Sequence, residues 1–316
     1  MPCRIRIKRG SNNYPYLCVE MNKLGIFIAI IFFLIGCKAK KEGNEIRVTV
    51  LRGPSAIAFA YWMENPPRIN GKTVILDIVD SPEQMQALLI KKESDIAVLP
   101  MINAANLYNK GINYRLAGCP VWGNIYLVGK PDAKYLHIFG AGTTPDILAR
   151  HYIEKHQLPY ELNYTLGTPS EISRGLLAGK VEAAVLAEPF VSMVLREDAD
   201  QKILADLNNP KENSPGFAET AILIHADLTN ERHIIDSLLK TSCLYAVEKP
   251  GEVIRILENK ELFPKGLLTK EGIERCRIKY MTTVEARTEI EEFLSVIYKY
   301  EPKAIGNTIP DEDFYK

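Results

Sequence analysis

From Glu45 onward, short β-branched apolar runs alternate with stretches whose apolar positions recur every three to four residues, the pattern of strands threaded between helices. The first series predicts strands over 45–51, 73–79, 95–99 and 114–117, with helices over 55–64, 82–91 and 102–109. A second series predicts strands over 125–129, 137–140, 162–165, 183–186 and 203–207, with helices over 145–156, 169–178 and 190–197. After the Asn- and Pro-rich loop 208–216 comes a strand over 220–225, and helical periods dominate 228–300. Ser81-Pro82-Glu83-Gln84 and Thr168-Pro169-Ser170-Glu171 both fit a capping box with proline at the first helical position. The pattern as a whole is that of an α/β protein with a largely parallel sheet and a helical C-terminal part.

One apolar stretch has no place in that series. Residues 24–36 run thirteen positions without a charge and are followed by Cys37 and Lys38-Ala39-Lys40-Lys41. At ~1.5 Å per residue, a helix of that length reaches ~20 Å, short of a ~30 Å bilayer core. It reads as the apolar region of a cleaved secretory signal, with Met21-Asn22-Lys23 supplying a candidate start beside Met1 and a positive flank. Residues 1–36 are therefore set apart from the fold. The remainder is long enough for two lobes and a sizeable core.

Charge and cysteine content narrow the function. The 39 basic and 39 acidic residues balance overall, but five basic residues and only Glu20 precede Cys37, so the rest is mildly acidic. No Lys/Arg stripe interleaved with aromatics appears, which argues against nucleic acid. Of six cysteines, Cys119, Cys243 and Cys276 follow Cys37, an odd number without metal-ligand spacing; a Cys243–Cys276 bridge stays open at this point. His137, His151, His156, His225 and His233 form no metal or nucleophile pair, and Ile57 stands where a Gly-x-Ser-x-Gly elbow around Ser55 needs its second glycine. No catalytic residue, metal or cofactor is expected.

What remains is a set of strand-to-helix turns. Arg52-Gly53-Pro54-Ser55, Pro100-Met101-Ile102-Asn103, Gly140-Ala141-Gly142-Thr143-Thr144 and Glu188-Pro189-Phe190 each follow a strand and open a helix. Ligands of open α/β sheets settle outside the carboxyl ends of the strands, so these turns would border one crevice if two lobes oppose. Pro145 occupies the place of the third glycine of a dinucleotide fingerprint, which argues against a nucleotide. Candidate ligand contacts are the cation Arg52, Gly53, Ser55, Asn103, the amides of Gly142, Thr143 and Thr144, Glu188, and Trp122 as a stacking face, with Asn106 beside Asn103. Core or capping roles compete for Trp122, Asn103 and Glu188. A small anion would favour Arg52 and the bare amides; an aminopyrimidine would favour Trp122 and Glu188.

Two resemblances give these residues a setting. Leu34-Ile35-Gly36-Cys37 resembles the lipobox of bacterial lipoproteins, which implies lipidation of Cys37, cleavage before it, and an acyl anchor such as palmitate. Asp95-Ile96-Ala97-Val98-Leu99-Pro100, then Ala104 to Gly111, then Val121 to Val128, and finally Leu176 to Pro189 in place of a Leu-x-x-Gly-x-x-Asp-Ala-x-x-x-x-Glu-Pro block, resemble the substrate-binding proteins of ABC importers for nitrate, sulfonates, taurine and thiamine pyrimidine precursors. This chain departs from the family at Lys134-Tyr135-Leu136-His137 and at Glu182, where aspartate is usual. The resemblance implies two Rossmann-like lobes joined by two crossovers, the type 2 periplasmic-binding arrangement, with lobe I at 44–122 plus 222–316, lobe II at 125–218, and crossovers near 122–124 and 217–221. It further implies a monomer that binds a small solute, works with a permease and its ATPase, and sits on the membrane by its anchor, facing the periplasm or cell exterior. An enzyme on the same fold, of the pyrimidine-forming or menaquinone-pathway type, and an exported ligand-sensing lipoprotein are the alternatives.

Overall fold

The computed structural model describes residues 44–316 except Pro210 and Asn213; the run 24–36 and Cys37 lie outside the described residues. In chain order the strands are β1 (Glu45–Leu51), β2 (Arg68–Ile69), β3 (Lys72–Val79), β4 (Ile96–Pro100), β5 (Tyr114–Val121), β6 (Ile125–Gly129), β7 (Tyr135–His137), β8 (Glu161–Asn163), β9 (Ala183–Ala187), β10 (Lys202–Asp206), β11 (Thr220–His225) and β12 (Ile278–Thr282). They make a seven-stranded sheet, β12-β5-β11-β4-β1-β3-β2, and a five-stranded sheet, β10-β6-β9-β7-β8. The helices are α1 (Pro54–Ala58), α2 (Ala60–Glu64), α3 (Pro82–Ile90), α4 (Met101–Asn109), α5 (Thr144–His156), α6 (Pro169–Leu177), α7 (Phe190–Glu197), α8 (Arg232–Glu248), α9 (Pro250–Asn259), α10 (Lys270–Arg275) and α11 (Arg287–Tyr300).

Three expectations change. The sheets are mixed, not largely parallel. β1 pairs in parallel with β3 and β4, but β11 is antiparallel to β4 and β5, and β12 to β5. β11 returns from the other sheet, and a strand that does so needs no right-handed helical crossover, so it is free to enter antiparallel. The expected helix over 55–64 is broken at Phe59, which is buried against Trp62 with its ring edge-on at 5.0 Å. The C-terminal part is helical but also supplies β12, whose Ile278 and Tyr280 point into the core while Lys279 points out.

Alternation within each strand explains the layering. Val48, Val50, Ile96, Val98, Ile222 and Ile224 pack with α1, α2, α8, α9 and α10 on one face of the larger sheet. Ala97, Leu99 and Leu116 face the other way, toward α3, α4 and α11. In the smaller sheet Tyr126, Val128, Ala184 and Leu186 meet α6 and α7, whereas Leu127, Ala183 and Val185 meet α5. Both faces of each sheet are covered, so the central strands read as nearly continuous apolar runs. The α3/α4/α11 layer and the α5 layer form one core, joined through Trp122, Phe217 and Phe293. Cys119, Cys243 and Cys276 are free and buried, so Cys243 and Cys276 are not bridged.

Helix starts obey the capping pattern with one variation. Ser81 and Thr168 accept the amides of Gln84 and Glu171 at 3.3 and 3.2 Å. The returning side chains of Gln84 and Glu171 reach one residue past the cap, to the amides of Asp80 and Gly167. Each still satisfies a donor at the mouth of the helix.

The chain leaves the larger sheet between Val121 and Ile125 and returns between Asp206 and Thr220. Both passages are tightly packed. A Cβ on Gly123 would lie 2.5 Å from the carbonyl oxygen of Arg275, and one on Gly216, at φ +119°, 2.9 Å from that of Trp122. Across them, Asn124 donates to Glu219 at 2.9 Å. Glu219 is buried, and its second carboxylate oxygen has no partner. Burial, reinforced by Asp206 and only partly offset by Arg277, holds its pKa well above the ordinary 4.5.

Two outcomes follow from this packing. Phe217 and Phe293 stack with centroids 5.3 Å apart and both are buried, so Phe293→Ala should lower the urea unfolding free energy by about 3–5 kcal/mol. Glu219 binds its proton more tightly folded than unfolded, so its contribution is complete below pH 4.5 and is lost as pH rises toward the raised folded value. Glu219→Gln cannot ionise; urea titrations across that window should show a stability slope shallower than wild type by up to about 1.4 kcal/mol per pH unit. An unchanged slope would mean that Glu219 is not the group carrying it.

Candidate functional site

Within each sheet the parallel strands end on one edge. In the larger sheet, β1 ends at Arg52-Gly53, β3 at Asp80, and β4 at Pro100, where α4 begins. In the smaller sheet, β7 leads to the 140–144 turn, β8 to Tyr164, and β9 to Glu188. The two edges meet at the crossovers. The amide of Met101 donates to the carbonyl of Glu219, and that of Glu188 to the carbonyl of Asn124, while Asn124 and Glu219 are themselves bonded. Farther out, Gly142 of the smaller lobe approaches Glu301, whose Cγ lies 3.5 Å from the place of a Gly142 Cβ. The carboxyl ends of both sets of strands therefore border one cleft, with the crossovers as its floor.

Several of the expected side chains have partners within the chain. Trp122 is not a stacking face: it is buried, and its indole N–H donates to Lys279 O at 2.7 Å. Glu188 is not a free acceptor. Its carboxylate is buried, pairs with Arg275, and accepts from the Ser192 amide and hydroxyl at 3.2 and 2.8 Å. Arg52 is held by Asp80 at 2.5 Å and donates to Leu262 O at 2.9 Å. The Gly142 amide is taken by Asp146 at 2.8 Å, and the Thr143 hydroxyl by the carbonyls of Gly140 and Phe139. Asn106 spans from α4 to Ala304 O at 2.9 Å.

Four of the expected residues keep unused capacity. Gly53, at φ +120°, has open space where a Cβ would stand. The Thr144 hydroxyl is buried without a partner. Ser55, buried, and Asn103, half-buried, make no side-chain hydrogen bond among the described residues. All four are neutral, and all lie in the first turn, or just before it, of α1, α4 or α5.

The groups that sequence reasoning missed are those that spend the charge. Asp146, in the first turn of α5, is 1% exposed and accepts from Gly142 N–H, from Arg150 at 2.7 Å and from the Tyr164 hydroxyl at 2.6 Å. Burial together with the Asp146 carboxylate raises the Tyr164 phenol above its ordinary range. Arg150 also donates to Tyr300 O at 3.0 Å and lies 3.7 Å from Glu301. Arg277 pairs with Asp206 beside the floor. The Asp146–Arg150 spacing of four was visible as an i,i+4 pair; Arg275 and Arg277 meet carboxylates 87 and 71 residues away, which no local pattern announces. No group of three or more His, Cys, Asp or Glu side chains that could hold a metal occurs among the described residues. Nor is any described helix long and apolar enough to cross a membrane.

No protein-family model and no curated protein matches the chain. Solved structures do. A structure described as an ABC transporter from Parabacteroides distasonis is 52% identical, with 86% of this chain and 99% of that one covered and a TM-score of 0.83. The ligand-binding component of an ABC-type import system from Staphylococcus aureus shares the fold at 14% identity, TM-score 0.62, covering 86% of this chain and 96% of that one. The periplasmic aliphatic sulphonate binding protein of Escherichia coli does so at 13% identity, TM-score 0.65, covering 86% and 90%. The half-identical relative places this chain in the ABC transporter family, and the two lobes, shared with the more distant structures, are those of the type 2 periplasmic-binding fold.

Proposed function

We propose that this chain is the lipid-anchored solute-binding component of an ABC importer, which closes two lobes on a small organic solute and presents it to a permease driven by its ATPase. The observation that carries the reading is the cleft itself: two sets of strand ends facing each other across two crossovers, with neutral groups left unused at the starts of α1, α4 and α5. The proposed moving bodies are 44–122 plus 222–316 and 125–218. A solute that binds the shut arrangement better than the open one shifts the population toward closure, and the crossovers absorb the change in backbone angle. No bond is made or broken, and one chain suffices. The apolar run 24–36 ending in Gly36-Cys37 supports a mature protein that begins at an acylated Cys37 and faces the periplasm or cell exterior. More than one acyl chain is needed for stable anchoring, since each buried methylene contributes about 0.8 kcal/mol.

Native mass spectrometry of the protein as purified should show a bound small molecule, and adding that molecule back at 100 times its Kd should stabilise the fold by about 2.7 kcal/mol. In cells, Cys37→Ala should abolish palmitate labelling and move the protein out of the membrane fraction. A wild-type chain that takes up no label and stays inside the cell would sink the anchored-receptor reading.

A further inference from the structure

We propose that the cleft selects a solute presenting an uncharged or cationic nitrogen group, such as an amine or amidine, and excludes oxyanions. This rests on the solute-binding reading above and narrows its ligand. A helix start with exposed amides and a nearby arginine is ordinarily a ready-made anion site. In this protein the site at the start of α5 is already filled by the chain's own carboxylate. Asp146 takes the Gly142 amide, the Arg150 guanidinium and the Tyr164 hydroxyl, the three donors a sulfonate or nitrate would need there. It sits in the first turn, where the helix dipole favours negative charge, and it is 1% exposed.

Beyond Asp146 stands a second carboxylate. Glu301 lies against Gly142, is 35% exposed, and among the described residues has as its ion-pair partner only the shared Arg150, at 3.7 Å. Two negative groups thus answer to one cation at this rim. Elsewhere round the cleft each arginine already has a carboxylate, Arg52 with Asp80, Arg275 with Glu188 and Arg277 with Asp206, although Arg277 Nη1 and Arg150 Nε keep buried N–H groups without a hydrogen-bond partner. An oxyanion entering this cleft meets only arginines already paired with carboxylates and comes close to Glu301, whereas a nitrogen group offers N–H donors to Glu301 and to the unpartnered Thr144 hydroxyl.

The test is a thermal-shift and calorimetric panel on the full mature protein after its co-purified solute has been dialysed away. One arm holds sulfate, nitrate and methanesulfonate; the other holds alkylamines, amidines and aminopyrimidines. The expected result is that at least one nitrogen probe raises the melting temperature while the oxyanions do nothing up to about 1,000 times that probe's Kd. Glu301→Gln should weaken the nitrogen probe about tenfold, the size of one lost charge-assisted hydrogen bond. Asp146→Asn, which frees Arg150, should create sulfate binding that wild type lacks. Stabilisation of wild type by any of the three oxyanions overturns the inference and leaves the solute-binding reading standing, as does a Glu301→Gln variant with unchanged affinity. If no probe binds and no solute co-purifies, the solute-binding reading itself falls. If Asp146→Asn does not fold, the wild-type panel and Glu301→Gln still decide the matter.

Discussion

Two sheets share one continuous core in this protein, and that depends on the chain itself supplying a partner to each charged side chain caught at their junction. Glu188 is buried with Arg275, Asp206 pairs with Arg277, and Asn124 reaches Glu219. Removing one partner of a buried pair typically costs about 3–5 kcal/mol, because it leaves an uncompensated charge out of water. The positive members both come from the short segment 275–277, whose central Cys276 accepts the Gly123 amide through its carbonyl. Gly123 has no alternative, since any Cβ would run into Arg275 O. The first crossover, the C-terminal segment and the start of α7 are therefore one interlocked unit, although nearly 90 residues separate Glu188 from Arg275 in sequence.

The opposite side of the cleft is built differently. α11 lies between α4 and α5: Phe293 stacks on Phe217 of the return crossover, Lys299 and Tyr300 bond Glu154, and the following turn is pinned to α4 by Asn106 and Asn109. Exposed ion pairs such as Lys299–Glu154 add little individually. The apolar stripe of Ile290, Phe293, Leu294 and Ile297 supplies the hold, while the polar contacts fix which turn of α5 sits beside which turn of α11. Under the proposed closure, a change in the angle between the lobes would slide α5 along this helix.

Much of the fold was legible because it depends on local periodicity. β1, β6, β11 and α7 fall where alternation and helical spacing place them, and the Ser81 and Thr168 caps form as their spacing predicts. β12 escaped because five residues of alternation are short beside the long helical periods that flank them. The second half of β5 escaped because Gly118 and Pro120 read as breakers, yet both sit in a strand whose next neighbours, β11 and β12, run antiparallel to it. At the candidate site, the partners of the side chains were not legible. Trp122 and Glu188 looked available because sequence shows a residue's type and never its partner; their partners, Lys279 and Arg275, belong to the part of the chain read as helix.

A cleft whose arginines are already paired with the chain's own carboxylates would change how the proposed closure is driven. In a receptor with unpaired arginines at the rim, the solute supplies the counter-charge that draws the lobes together. In this protein Arg275, tied to the larger sheet through β12, already holds Glu188 of the smaller one, and Arg150 of the smaller lobe already donates to Tyr300 and approaches Glu301. Under the proposed closure, those bridges would stabilise the shut arrangement whether or not a solute is present, so the free-energy gap left for the solute to close would be smaller. Apparent affinity is the intrinsic affinity scaled by the fraction of molecules already competent to bind. Pre-closure would raise that fraction, so that the proposed solute needs few charged contacts beyond Glu301.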